Sequence, residues 1–453
     1  MAFDPTATVQ DSTNFEDSLK IRYAATVVSI LNRKTILLGR LEKTKAFWNG
    51  KEHRQPIQLV SGNATGARPE GGTIPSARAL MDVQSVISNK SHYCTVKVTG
   101  QVEAKSNSKE GAWASVKSRQ IMNAAADLRQ SLNRAMYGDG KGILCEANSV
   151  SGSGTPADPW VVTIKGYNDG TTLVNDTGWA WTTTKHLRRG MHVVWGSYDS
   201  GGAPGAFFLT AAGALGRGDG YVKEVVNTSP YNQFKIVAGT TAVAPSAGDV
   251  FVMGDLIAHG KHSFDQECMG LRGIVNTDTF QGIDPSDHPE WEAQILQNPN
   301  AAGSPRQITD TLLQEAYDRM SDLTVGECDM IIGHTTTRNA YITHLKSKGL
   351  ERYAATNLKG GWSTVTFNGG RGNADIFADK DAPYRTVYCL NTSALKAYTV
   401  KTFAWDTTGG SVWKWPDNED AMVAFGKTYL NLGTTNRTSQ VRIEDVAVSG
   451  IYN

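Results

Sequence analysis

Residues 121–140 read Ile-Met-Asn-Ala-Ala-Ala-Asp-Leu-Arg-Gln-Ser-Leu-Asn-Arg-Ala-Met-Tyr-Gly-Asp-Gly. Ile121, Ala124, Ala125, Leu128, Leu132 and Met136 recur at three- and four-residue steps, which places them on one face of a helix. Few helix breakers occur upstream, and Ser108 is a suitable N-cap with Glu110 favourable in the first turn. The pattern predicts a helix from Lys109 to Tyr137, stopped by Gly138-Asp139-Gly140. About 29 residues would span ~43 Å at ~1.5 Å each, which is long for a globular helix. It reads either as a well-packed core helix or as a rod along which an elongated domain is built. Lys109, Lys117, Arg119, Arg129 and Arg134 outnumber Glu110 and Asp127 along it. That basic excess is either a solvated face or a surface that binds packed DNA through its phosphates, without sequence reading.

The chain before this helix lacks a core of its own. Residues 1–45 are polar and mixed and read as an extended arm that must either order on a partner or stay loose. Within 46–90, Pro56–Val60 and Met81–Ile87 read as strands separated by the Gly-rich stretch Ser61–Ala77, which holds Arg68, Pro69 and Glu70. Such a two-stranded ribbon is marginal in water and needs something to lie against. Tyr93–Glu103 alternates with period two, the pattern of a further strand.

After the helix the texture changes. Residues 146–260 hold 18 of the 46 glycines and short β-type runs such as Trp160–Ile164, Met191–Trp195, Tyr221–Val226, Phe234–Val237 and Val250–Met253. This predicts a self-contained β-rich module, plausibly a small barrel. From 261 onward the pattern is α+β. Ser304-Pro305-Arg306-Gln307 resembles a helix start, and Thr336–Lys348 a second helix. Strands are expected at Cys328–Gly333, Ser363–Phe367, Thr386–Leu390, Tyr398–Phe403 and Val441–Val448.

Composition excludes several function classes. Lys and Arg total 45 against 44 Asp and Glu, so the basic excess of a dedicated nucleic-acid binder is missing. The five cysteines are far apart and never Cys-x-x-Cys, which argues against a disulfide framework or a zinc site. The start of the chain shows no secretion signal, and no apolar run is long enough to span a membrane. Gly138–Gly142 lacks Walker spacing, and no zincin, nucleophile-elbow or dinucleotide motif occurs. No enzymatic activity, cofactor or metal is expected. Asp284, Asp287, His288, Glu290 and Glu292 cluster near Trp291, but Asp284-Pro285-Ser286 and His288-Pro289 read as turn chemistry. Asp375, Asp379 and Asp381 read as loop residues. Arg217-Gly218-Asp219 matches a receptor-binding tripeptide but sits in a Gly-rich turn, and Trp179 and Trp181 read as core of the β module.

The order of parts is more specific than any one motif. An arm, a long hairpin, a strand, a very long helix and a closing α+β region together resemble the Johnson fold, the Hong Kong 97-type capsid fold of tailed bacteriophages and herpesviruses. Leu132–Gly140 resembles the end of that fold's spine helix. Gly270-Leu271-Arg272-Gly273-Ile274 with Phe280–Ile283, Asp329–His334, and Asp379–Leu395 resemble later segments of it. The resemblance implies an N-terminal arm at 1–45, an extended hairpin loop at 46–90, and a peripheral domain with the spine helix at 91–145. An axial domain follows at 261–393, with a return to the peripheral domain at 394–453. The β module at 146–260 departs from the pattern as an inserted, β-rich, barrel-like domain.

What the resemblance implies is a structural major capsid protein that self-assembles into hexamers and pentamers, forming an icosahedral shell around double-stranded DNA. Its place would be the virion, assembled in the host cytoplasm, with no membrane. A short arm implies a separate scaffolding protein if one is needed, beside a portal and a decoration protein. Lys51, Arg54, Arg68 and Glu70 are the candidate intersubunit contacts, and Lys117, Arg119, Arg129 and Arg134 the candidate DNA-facing residues. Two rival readings are a carbohydrate-binding or hydrolytic virion or secreted protein working through 146–260, and a tail or portal structural protein.

Overall fold

A computed structural model of the chain describes residues 35–44, 52–60, 64–76, 79–106, 116–165, 184–197, 218–226, 233–239, 243–254, 262–299, 305–323, 326–348, 365–369, 372–408 and 410–447. In chain order, α1 (Leu37–Arg40) and β1 (Glu42–Thr44) precede the hairpin strands β2 (Glu52–Val60) and β3 (Met81–Ser88). Next come β4 (Lys90–Thr99), α2 (Gly100–Ser106) and the spine helix α3 (Val116–Ala135). Six strands follow: β5 (Ile143–Ser151), β6 (Trp160–Ile164), β7 (His192–Ser197), β8 (Asp219–Val225), β9 (Gln233–Ala238) and β10 (Asp249–Met253). Then come α4 (Leu271–Ile274), β11 (Gln294–Leu296), α5 (Asp310–Leu323), β12 (Met330–Gly333) and α6 (Thr335–Ser347). The chain closes with β13 (Val365–Asn368), β14 (Asn373–Ala378), β15 (Val387–Leu390), β16 (Leu395–Trp405), β17 (Trp413–Lys414), β18 (Ala421–Thr434) and β19 (Val441–Ile443).

α3 packs its apolar stripe on a five-stranded peripheral sheet. In that sheet β18 pairs with β16 and β17 and also with β4, while β1 adds to β16 in parallel. Leu128, Leu132 and Met136 of α3 join Ala397, Leu430 and Leu432 of the sheet in one buried cluster. The helix ends as expected, with the amides of Tyr137 and Gly138 closing back onto Arg134 and Ala135. Its expected first turns, residues 109–115, lie outside the described residues. The strand expected at Tyr93–Glu103 differs: β4 stops at Thr99, and α2 begins at Gly100, so Val102 reaches the core from a helix. Gly100 is held tight here, because a Cβ would meet a carboxylate oxygen of Asp420 at 2.2 Å.

The six strands β5–β10 close into a barrel in the order β10-β5-β6-β9-β8-β7. Closure leaves no free sheet edge. Trp160, Trp195, Phe234 and Phe251 fill the interior, with Val162, Ile164, Val222 and Ile236 around them. Trp160 meets Trp195 edge-on at 5.5 Å, and Phe234 meets Phe251 likewise at 5.3 Å. Gly218 lies so near the Trp195 ring that a Cβ there would come within 2.4 Å of it. The first and last strands pair with each other, Ile143 opposite Val252, so the chain enters and leaves the barrel side by side. β5 begins at Ile143, three residues ahead of the expected module boundary at 146.

A second, six-stranded sheet runs β11-β19-β15-β12-β14-β13, with α5 and α6 packed on it through Leu312, Leu313, Ala316, Tyr317, Met320 and Tyr341. α5 starts six residues later than the Ser304 signal suggested. Ser304 lies outside the described residues, Arg306 bridges to Val446, and the helix N-terminus is capped by the Thr309 hydroxyl, which accepts from Leu312 N–H at 3.2 Å. β19 places residues 441–443 in this sheet, so the chain returns here after the peripheral strands β16 and β18. Arg437, fully buried, fixes that return by donating to the carbonyls of Ile274, Asp278 and Asn276. Burial lowers its guanidinium pKa to about 10.

α6 is capped by a histidine. His334 Nδ1 accepts from Thr336 N–H at 3.2 Å, a role open only to a neutral imidazole. Burial, aided by Lys185, lowers its pKa to about 3. Because the folded value lies below the unfolded one of ~6.5, the folded form resists a proton that the unfolded form accepts. Stability is full above ~pH 6.5 and declines from there down to about pH 3. At pH ~5 the His334 contribution alone is a loss of about 2 kcal/mol. His334→Asn keeps a strong cap and removes the titration. Urea unfolding is expected to show a wild-type loss between pH 7 and pH 5 that is ~2 kcal/mol larger than the variant's. Equal losses would exclude His334 as a source.

Candidate functional site

The hairpin β2–β3 stands out first. Its base leans on the body: Ile57, Leu59 and Val83 pack against the main cluster, Val86 N–H donates to the Gln281 carbonyl at 2.8 Å, and Asn431 Nδ2 to the Ser88 carbonyl at 2.7 Å. Among the described residues, its tip is open to solvent. Ile74 is 81% exposed and Leu80 63% exposed, with Val60 and Met81 also open to solvent. Exposed apolar side chains grouped at one tip mark an interaction surface rather than ordinary scatter.

The tip is nonetheless shaped. Arg68 donates through Nε to the Thr73 carbonyl at 3.0 Å and through Nη1 to the Ala67 carbonyl at 3.2 Å. Gly72 N–H closes a turn onto Pro69 at 2.9 Å, and Glu70 sits exposed within it. Arg68 and Glu70 therefore share one turn. Arg54 is far from them along the ribbon, opposite Val86, with its guanidinium 3.3 Å from Glu52. Lys51 lies outside the described residues.

The basic residues of α3 do not form one stripe. At about 100° per residue, positions 117, 119, 129 and 134 point in four different directions. Lys117 pairs with Glu103 and lies over the Trp413 ring at 5.6 Å. Arg119 is partly buried and engaged, whereas Arg129 is exposed. Arg134 corrects the sequence reading: it is only 5% exposed and its guanidinium is paired with Glu267 inside the protein. It holds structure and cannot face DNA. No local pattern marks this pair, since Glu267 lies beyond the entire barrel in the chain.

Sequence reasoning also missed a buried polar hub. Asp379, read as a loop residue, is fully buried. Its Oδ2 accepts from Asn133 Nδ2 at 3.0 Å, from the Tyr137 hydroxyl at 3.0 Å, and from the amides of Ile36 and Leu37 at 3.3 Å. Asn133 donates to Asp381 Oδ2 at 2.8 Å as well, and its own Oδ1 accepts from Leu38 N–H. Burial raises the Asp381 carboxyl pKa, and burial together with the Asp379 charge raises that of the Tyr137 hydroxyl. Lys185, beside the barrel, reaches the neighbouring Ala382 carbonyl and lies over the Tyr384 ring at 4.6 Å. The Asp379 carboxylate thus ties the segment at Ile36–Leu37 to Asn133 of α3 and to Tyr137 just beyond it, while Lys185 reaches the adjacent loop through the Ala382 carbonyl.

Other candidates resolve into structure. Asp284 accepts from Ser286 N–H and Oγ and from the Thr279 hydroxyl, which is the turn chemistry expected. Asp219 is buried on β8, at odds with an exposed receptor-binding loop, and Arg217 lies outside the described residues. So do Trp179 and Trp181. Among the described residues no helix is long and apolar enough to cross a membrane.

No family model matches the sequence, and no curated protein does. Solved structures do match. The capsid asymmetric unit of cyanophage A-1(L) aligns with 96% of this chain and 99% of its own, at TM-score 0.55 and 11% identity. The capsid of cyanophage P-SCSP1u aligns with 96% of this chain and 94% of its own at TM-score 0.46 and 10% identity. An encapsulin complex from Synechococcus elongatus PCC 7942 covers 99% of both chains at TM-score 0.45 and 8% identity. The chain has the Hong Kong 97-type capsid fold, mixed α+β, with a closed six-stranded barrel inserted after the spine helix.

Proposed function

We propose that this chain is the major capsid subunit of a tailed double-stranded-DNA bacteriophage, assembling into hexamers and pentamers as an icosahedral shell. The observation that carries the proposal is the hairpin: a shaped, charged tip whose apolar side chains Ile74 and Leu80 stand exposed among the described residues. A ribbon of this kind gains its missing contacts from a neighbouring copy, and contacts that join unlike surfaces close into rings. Arg68 and Glu70 would meet opposite charges on that neighbour, with Lys51 and Arg54 nearer the base. DNA would be enclosed through phosphate contacts of Lys117, Arg119 and Arg129, without sequence preference. A scaffolding protein, a portal and a decoration protein are the further partners this role would take.

Deletion of residues 62–75 is expected to leave a folded subunit that forms no shells under negative-stain microscopy, where the intact chain forms shells or hexamers. Normal shells from the deletion would overturn the role given to the tip. The rival, sugar binding by the barrel, is disfavoured by an interior already filled with Trp160, Trp195, Phe234 and Phe251.

A further inference from the structure

Between α3 and the peripheral sheet lies a cavity of about 170 Å³. Its walls are mostly apolar, with Leu38, Leu128, Leu132, Met136, Leu430 and the ring of Phe403 beside three threonines, Thr399, Thr402 and Thr428. Lys43 and Arg129 also line it, and both are exposed. Neither has a carboxylate partner among the described residues. A cavity of ~150 Å³ lined by aliphatic side chains is large enough to take a benzene ring. This one therefore has room for a phenyl group, with two unpaired cations beside it.

The chain itself supplies a matching segment. Residues 1–17 carry Asp4, Asp11, Glu16 and Asp17 and no Lys, Arg or His. Within them, Phe15-Glu16-Asp17 joins one aromatic ring to two consecutive carboxylates. Phe3-Asp4 offers a ring with one carboxylate only, followed by Pro5. The described chain begins at Thr35, three residues ahead of Leu38 and eight ahead of Lys43, both of which line the cavity. Some 18 residues lie between Asp17 and Thr35, which span up to ~60 Å when extended. That is ample to reach the cavity of its own subunit or of an adjacent copy.

We infer that the cavity is the receptor for Phe15-Glu16-Asp17 of this chain, the ring seated between α3 and the sheet and the carboxylates paired with Lys43 and Arg129. Burial of the ring supplies the affinity, and the charges set which part of the arm is held. Arg129 then serves the arm rather than DNA. The inference concerns single subunits and small oligomers, so it stands or falls separately from shell formation.

Limited chymotrypsin digestion of the full chain tests it, read by mass spectrometry at the Phe15–Glu16 bond. Lys43→Glu with Arg129→Glu is expected to speed that cleavage at least tenfold and leave the Phe3–Asp4 bond unchanged. Adding Glu16→Lys and Asp17→Lys to that variant reverses both charges and is expected to restore protection. Equal cleavage at Phe15 in the wild type and the double variant would overturn the inference, as would a fourfold variant that stays unprotected. Thermal melts confirm that the exposed substitutions leave the fold intact.

Discussion

Asp379→Ala is expected to destabilise the subunit by about 5 kcal/mol or more, the largest effect of any single substitution here. The alanine removes the acceptor for four donors converging on one oxygen, two of them side chains and two backbone amides. Each buried donor left without a partner costs ~1–3 kcal/mol. The amide of Asp381, which donates to the other oxygen at 3.0 Å, is orphaned as well. Asp379→Asn retains one carbonyl oxygen and is expected to cost less than half as much. Soluble yield and thermal melting of the two variants measure the contrast. Equal melting of alanine variant and wild type would show that the hub contributes nothing to the fold.

That hub also shows where the sequence stops being legible. The spine helix was readable because its pattern is local: Leu128, Leu132 and Met136 repeat within one element and end at a glycine turn. The barrel was readable as a β module because its strands are short and alternate, as Trp160–Ile164 does. β18 was not read, although it is the longest strand. It pairs on both sides and is buried over most of its length, so its polar and apolar residues do not alternate. Its Gly426 looks like a breaker, yet a Cβ there would meet Cys94 Sγ at 2.5 Å and the Phe403 ring at 2.8 Å, so close strand packing requires the glycine.

The hairpin tip divides the same way. Arg68 and Glu70 were visible as charges in a Gly-rich stretch between two strands. The exposed apolar partners Ile74 and Leu80 were not singled out, because a single Ile or Leu between loop residues carries no pattern. Asp379 and Asp381 looked like solvated loop carboxylates because Asp is a turn residue. Only the fold brings Asn133, 246 residues away in sequence, against Asp379. Long-range polar pairing leaves no periodic trace, and this is why the helix and its glycine stop are legible over Val116–Ala135 while the burial of Arg134 against Glu267 is not.

Glu267→Ala is expected to cost ~3–5 kcal/mol, because it leaves the Arg134 guanidinium charged, buried and unpaired. Arg134→Met with Glu267→Leu removes both charges and is expected to recover most of that loss, since burying an ion pair is itself expensive. The pair has a particular position. Arg134 is the last basic residue of the spine helix, just before the chain enters the barrel at Ile143. Glu267 follows the barrel's exit, where the Asp265 amide donates to the Lys141 carbonyl and the Cys268 amide to His92 Nε2 at 3.1 Å. The ion pair therefore fastens the two chain ends of the inserted module to the body. The barrel's own hydrogen bonds close on themselves, and its aromatic core does not include either residue. Calorimetry of Glu267→Ala is expected to move the body's transition down while leaving a barrel transition in place. A single transition shifted as one unit would show instead that barrel and body fold together, with the insertion as much a part of the subunit's framework as the helix it follows.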